Sequence, residues 1–274
     1  MSVYLKKRIT PFKGRFTVSI GLSLTSFPYS KYIVFLLFLL PLCPKAQDYD
    51  HSDKEKIKKF VKEVSHIYGV DDELINGYPY RPPDRAIKSH PYFLDSDWAT
   101  ADLYMSGEAY FDMKVKYDIS KDAMILKAEL EKGVSKYIHL NSLYVDSVKM
   151  RHRLFTHSRK YFPPDSIETY YEEVFLSDDK RFGLIIHYSK VFLSQFTQMA
   201  PRGRFSDTDE NKWVIINGRS EKVNRRRSFL KLFDNEKRGE IKRFMSNENI
   251  KYRKATQNQL KELMKFCSVT LRRN

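Results

Sequence analysis

The chain has 274 residues, two of them cysteine, and 49 Lys and Arg against 34 Asp and Glu give it a formal charge of +15. That length can bury one large core or a core with a helical appendix, and two cysteines exclude a disulfide-stapled scaffold. The charge is uneven: residues 1–47 hold seven bases and no acid, 48–199 hold 22 bases and 25 acids, and 200–274 hold 20 and 9. Outside the first 47 residues, the positive balance belongs to the C-terminal region.

The first element is the apolar run from Tyr32 to Cys43, preceded by Lys31 and followed by Pro44, Lys45, Ala46 and Gln47. A basic lead, a short apolar stretch and a small residue near a processing point form the layout of an export signal. Its 12 residues fall short of the roughly 20 that a membrane-spanning helix needs. Cleavage after Ala46 is the expectation, with the working domain in the periplasm or cell envelope. Two alternatives stay open: a lipoprotein acylated at Cys43, which bulky Leu42 disfavours, and an uncleaved anchor. Processing would leave Cys267 as the single thiol, on the apolar side of a helix, where a buried small hydrophobe is the ordinary role.

The expected organisation is an export signal over 1–47, a β-rich domain with a leading helix over 48–218, and a basic helical segment over 219–274. Ser52 and Glu55 form a capping box for the leading helix, Ile57, Phe60, Val61, Val64 and Tyr68 give it an apolar stripe, and Gly69 ends it. Asn76 to Pro91 carries Pro79, Pro82, Pro83 and Pro91, which rule out a regular helix and leave an ordered wrapping segment.

Beyond it lies the clearest alternation. Phe111, Met113, Val115, Tyr117 and Ile119 point one way, and Asp112, Lys114, Lys116 and Asp118 the other. Ser120 to Asp122 turns this strand back into Ala123 to Ala128, and Leu103 to Met105 leads into it through Gly107. Further strands are expected at Tyr137–Leu140, Ser147–Leu154, Tyr170–Leu176, Phe182–Phe192 and Trp213–Ile216, the last ending at the turn Asn217–Gly218. Three helical pieces close the chain: one capped by Ser228 and running to Phe233, one capped by Asp234, and one with the capping box Thr256 and Gln259. Leu260, Leu263, Met264 and Cys267 trace the buried stripe of the third. The fold class is therefore α+β, an antiparallel β meander or open barrel with an N-terminal helix and a C-terminal helical segment.

No catalytic, cofactor-binding or metal-ligating set emerges. The seven histidines are scattered, and no helical His pair at i, i+4 is flanked by Glu. Asp95 and Asp97 beside Trp98 have the residue types of a glycan acid/base pair, but loop capping is the commoner use of such carboxylates. The feature that does point to a partner is the basic tail: Arg219, Lys222, Arg225, Arg226, Arg227, Lys237, Arg238, Lys242 and Arg243. A continuous positive field there suits anionic envelope lipid, an acidic glycan or an acidic protein, whereas export argues against nucleic acid.

Tyr117, Asp118 and Ile119, with Asn76, Gly77 and Tyr80 ahead of His90, Pro91, Tyr92 and Phe93, and the closing Leu260–Phe266 helix, carry a resemblance. On these residues the chain resembles a loose group of secreted, β-rich proteins of Bacteroidetes type. The resemblance implies an envelope location and carries over no catalytic residue. The expected role is a non-catalytic binding or structural component; an envelope hydrolase acting on glycan or peptide and a membrane-anchored assembly subunit stay as alternatives.

Overall fold

The computed structural model describes residues 56, 77–87, 89–129, 134–162, 170–194, 197–198 and 200–272. The export segment lies outside them, as does the leading helix except for Lys56, which is helical.

The wrapping segment contributes β1 (Tyr78–Pro79). Then come β2 (Ala99–Met105), β3 (Glu108–Asp118), β4 (Ala123–Glu129), β5 (Ser135–His139), β6 (Val145–Met150) and β7 (Arg153–His157). They are followed by β8 (Tyr170–Leu176), β9 (Phe182–Ser189), β10 (Phe192–Leu193), β11 (Arg204–Phe205), β12 (Asp209–Ile216) and β13 (Arg219–Lys222). Eleven of these strands form one open antiparallel sheet in the order β1-β5-β4-β3-β2-β6-β7-β8-β9-β12-β13, while β10 and β11 pair separately. The chain meanders from β2 outward to β5, returns to the other side of β2, and meanders again to β13. Both edges resist strand addition: β1 carries Pro79, and β13 reads Arg-Ser-Glu-Lys.

Three hairpins turn through two residues that both have positive φ: Ser106–Gly107 (50° and 83°), Arg151–His152 (51° and 61°) and Asn217–Gly218 (50° and 79°). Such turns match the right-handed twist of the flanking strands. The second one breaks the expected Ser147–Leu154 strand into β6 and β7, with Met150 paired to Arg153. Neither Arg151 nor His152 is a residue that announces a left-handed turn. The expected strand to Phe192 likewise ends at Ser189, because Lys190 turns in and donates from Nζ to the carbonyls of His90 at 3.0 Å and Tyr92 at 3.2 Å. In β3, Asp112 adopts a φ of 58° and the register with β2 shifts, so Tyr110 rather than Phe111 joins Met113 and Val115 against the core.

One face of the sheet packs beneath α1 (Arg226–Lys231), α2 (Asn235–Asn247) and α3 (Gln257–Arg272). Leu103, Val115, Leu126, Val148, Phe155, Leu184 and Val214 from the strands share this core with Phe229, Ile241, Met245 and Leu263 from the helices. The caps obey local chemistry. Asp234 accepts from the Lys237 amide at 2.9 Å, and Thr256 and Gln259 bond each other's amides reciprocally at 3.0 and 3.3 Å. Ser228 is not a cap; α1 starts after Arg225, and Ser228 sits inside its first turn. Leu260, Leu263, Met264 and Cys267 are all buried, and burial pushes the Cys267 thiol up to about 12, which makes it a packing group.

The opposite face carries two smaller clusters. Tyr80, Tyr92, Ala123 and Ile125 form one, covered by the wrapping segment, and Tyr171, Ile185 and Ile215 form the other with Phe162 and Trp213. Asp118, expected to face solvent, is instead fully buried under the first of them, where it accepts from the Tyr80 hydroxyl at 2.7 Å and from Ser120 and Lys121. Among the described residues, no helix is long and apolar enough to cross a membrane.

Candidate functional site

The basic tail resolves into two separate places, and the joint between α1 and α2 decides the division. An α-helix ends with carbonyls that have no partner inside it. Arg238, in the first turns of α2, supplies that partner: Nε donates to the Leu230 carbonyl at 2.9 Å, Nη2 to the Phe233 carbonyl at 2.8 Å, and Nη1 to Asn235 Oδ1 at 3.1 Å. A planar fork of donors can serve three acceptors at once, which an ammonium on a flexible stem does far less well. Arg238 thereby brackets the two helices together.

Around that bracket lies a groove of about 710 Å³ lined by Arg226, Arg227, Leu230, Lys231, Arg238 and Lys242. Arg227 and Lys231 share one helical face at i, i+4, and Arg238 and Lys242 share another. Leu230 is buried at the floor. Among the described residues, the lining contains five cations and no carboxylate. The side chains of Arg226, Arg227, Lys231 and Lys242 have no ion pair or hydrogen-bond partner among the described residues. Like charges one helical turn apart cost about 0.2–0.5 kcal/mol per pair, so an anion seated here relieves a repulsion that the protein otherwise carries.

Four of the nine cations singled out in the sequence therefore converge: Arg226, Arg227, Arg238 and Lys242. Lys231 joins them, and its signal was its position four residues after Arg227. The other five go elsewhere. Arg219 and Lys222 are exposed on the edge strand β13 instead of on a helix. Lys237 pairs with Asp234 at 3.7 Å. Arg243 is exposed on α2 outside the groove lining.

Arg225 lines the second cavity, about 400 Å³, together with Thr208, Asp209, Glu210, Lys212, Asn224 and Arg253. It lies where the helix-covered face of the sheet turns polar. Lys212 is only 3 % exposed and donates from Nζ to Glu210 Oε2 at 2.8 Å. On the same face, Glu172 has no exposed surface and accepts from Arg153 at 3.1 Å, from the Tyr188 hydroxyl at 2.5 Å, and from Gln257. Burial raises the Glu172 carboxyl above the usual range, opposed by the Tyr188 bond and by Arg153.

The remaining sequence candidates have structural roles. Asp95 Oδ1 accepts from the Asp97 amide at 2.9 Å and from Arg151 at 2.6 Å, so it caps its loop and ties that loop to the β6–β7 turn. His152 lies in that same turn, and His157 ends β7. Among the described residues, no group of three or more His, Cys, Asp or Glu side chains gathers as a metal site would require. Comparison with protein-family models, curated proteins and solved structures returns no match.

Proposed function

We propose that the protein is exported and acts at the cell envelope as a non-catalytic binding component, holding anionic groups of an envelope lipid in the groove between α1 and α2. The observation that carries this reading is the cationic lining over a Leu230 floor: four side chains without partners converge where no carboxylate among the described residues balances them. Charged lipid headgroups suit such a lining because each Lys or Arg near an anionic surface contributes about 1 kcal/mol, and the surface supplies many charges at once. The apolar run at Tyr32–Cys43 supports the compartment.

The test is co-sedimentation of the protein, as purified from the cells that make it, with vesicles of phosphatidylglycerol and phosphatidylcholine or of phosphatidylcholine alone. Binding to the anionic vesicles is expected to weaken with salt and to fall on the order of 100-fold or more in an Arg226→Ser, Arg227→Ser, Lys231→Ser, Lys242→Ser variant. Equal binding by a folded variant would overturn the reading. Intact mass of the same sample places its start: a chain from Gln47, an acylated Cys43 or the full length each give a distinct value.

A further inference from the structure

The second cavity has a charge pattern of its own. Its lining holds three cations and two carboxylates, and one pair is already satisfied, since Lys212 and Glu210 neutralise each other at 2.8 Å. Among the described residues, the Asp209 side chain accepts a single bond, from Asn211 Nδ2 at 3.1 Å, and pairs with no cation. Arg225 and Arg253 have neither an ion pair nor a side-chain hydrogen bond among the described residues. Two guanidinium groups and one carboxylate are thus left unmatched around one small space.

The wall that presents them is rigid. Asn224 Oδ1 accepts from the Lys212 amide at 2.8 Å, Asn224 Nδ2 donates to Asn211 at 3.0 Å, and the Val223 amide donates to the Lys212 carbonyl at 2.8 Å. These bonds fasten the backbone just before Arg225 onto β12. Arg253 comes from a different element, the one-turn 3-10 helix Tyr252–Lys254 ahead of α3, which is anchored by fully buried Tyr252.

We propose that this cavity binds a small zwitterion of the amino-acid or short-peptide class, its acidic group held between Arg225 and Arg253 and its ammonium group facing Asp209. A guanidinium matches a carboxylate through two parallel hydrogen bonds, and two of them fix its orientation. A space of about 400 Å³ lies within the usual range for small-molecule sites. Both charges of the ligand are needed. A bare acid would leave its negative field against Asp209, and a bare amine would meet two arginines. The site stands apart from the groove, because Arg225 faces the cavity while Arg226 and Arg227 face the groove.

Thermal denaturation of the protein with a panel of free amino acids and unblocked dipeptides at millimolar concentration tests this, with N-acetylated and C-amidated counterparts beside them. At least one unblocked compound is expected to raise the melting temperature by about 2–4 °C, and blocking either end abolishes the rise. The panel separates free amino acids from peptides as the source. An Arg225→Gln, Arg253→Gln variant is expected to lose the shift, whereas Lys261→Gln, on the exposed side of α3, keeps it. Asp209→Asn is expected to bind amine-blocked and unblocked forms alike, a readout that stands even if the double variant folds poorly. No shift from any unblocked compound, equal shifts from blocked and unblocked forms, or a full shift in the folded double variant would each overturn the proposal.

Discussion

Arg238 donates through Nε to the main-chain carbonyl of Leu230 at 2.9 Å, so a cation counted in the sequence as part of a charged surface is a structural clamp. Replacing it with Met keeps the stem and removes every donor. Arg238→Met is expected to lower stability by about 1–3 kcal/mol, because the Phe233 carbonyl loses its side-chain donor and the Leu230 carbonyl is left with backbone donors alone. Arg243→Met removes the same charge from the exposed side of α2 and is expected to stay within about 0.5 kcal/mol of the parent. Urea denaturation of the two variants makes the comparison. Anionic-vesicle binding should drop further in Arg238→Met, since the groove loses its shape as well as one charge.

Burial of Glu172 sets the sign of a pH dependence in the fold. Its carboxyl is raised in the folded state by burial, so the folded protein holds that proton more tightly than the unfolded chain does. The corresponding stability is fully present below the unfolded value of 4.5 and is lost as pH rises through the raised folded value. Relative to the parent, Glu172→Gln should therefore show a flatter stability profile above pH 4.5. Chemical denaturation at a series of pH values measures the difference, and a parent-minus-variant curve that climbs with pH would contradict it.

Tyr80 and Asp118 are 38 residues apart and joined by a 2.7 Å hydrogen bond beneath the wrapping segment. Burial keeps the Tyr80 phenol well above its ordinary pKa, so it remains a donor. Hydrogen bonds to a charged acceptor contribute about 1.5–3 kcal/mol, and residues in one network couple. Tyr80→Phe and Asp118→Asn, measured singly and together, are expected to be non-additive by about 1–2 kcal/mol. An additive cycle would mean that the Tyr80–Asp118 bond adds nothing to the hold that β1 pairing and Lys190 already give the wrapping segment.

What was readable in advance was local. The Asn217–Gly218 turn, the Asp234 cap and the Thr256–Gln259 box are each set by a few adjacent residues, and each appears as its chemistry requires. The buried stripe of α3 follows from spacing in the same way. Arg151 and His152 could not be read so. Their left-handed backbone has no Gly, Asn or Asp to mark it, and it persists because pairing on both sides of the hairpin over-determines the turn. Asp118 defeated the alternation rule from the other direction, as a carboxylate kept inside by a partner supplied from elsewhere, and Glu172 is buried in the same way.

The sequence by itself determined where most strands lie, the starts of α2 and α3, and the concentration of positive charge behind residue 200, because backbone preference and nearest-neighbour capping act over only a few residues. The tertiary structure alone decided that Arg226 and Arg227 face one recess while Arg225 faces another. It alone brought Arg153, Glu172, Tyr188 and Gln257 into one buried cluster. Those juxtapositions come from the packing of segments up to about a hundred residues apart across a twisted sheet, and no local pattern encodes them.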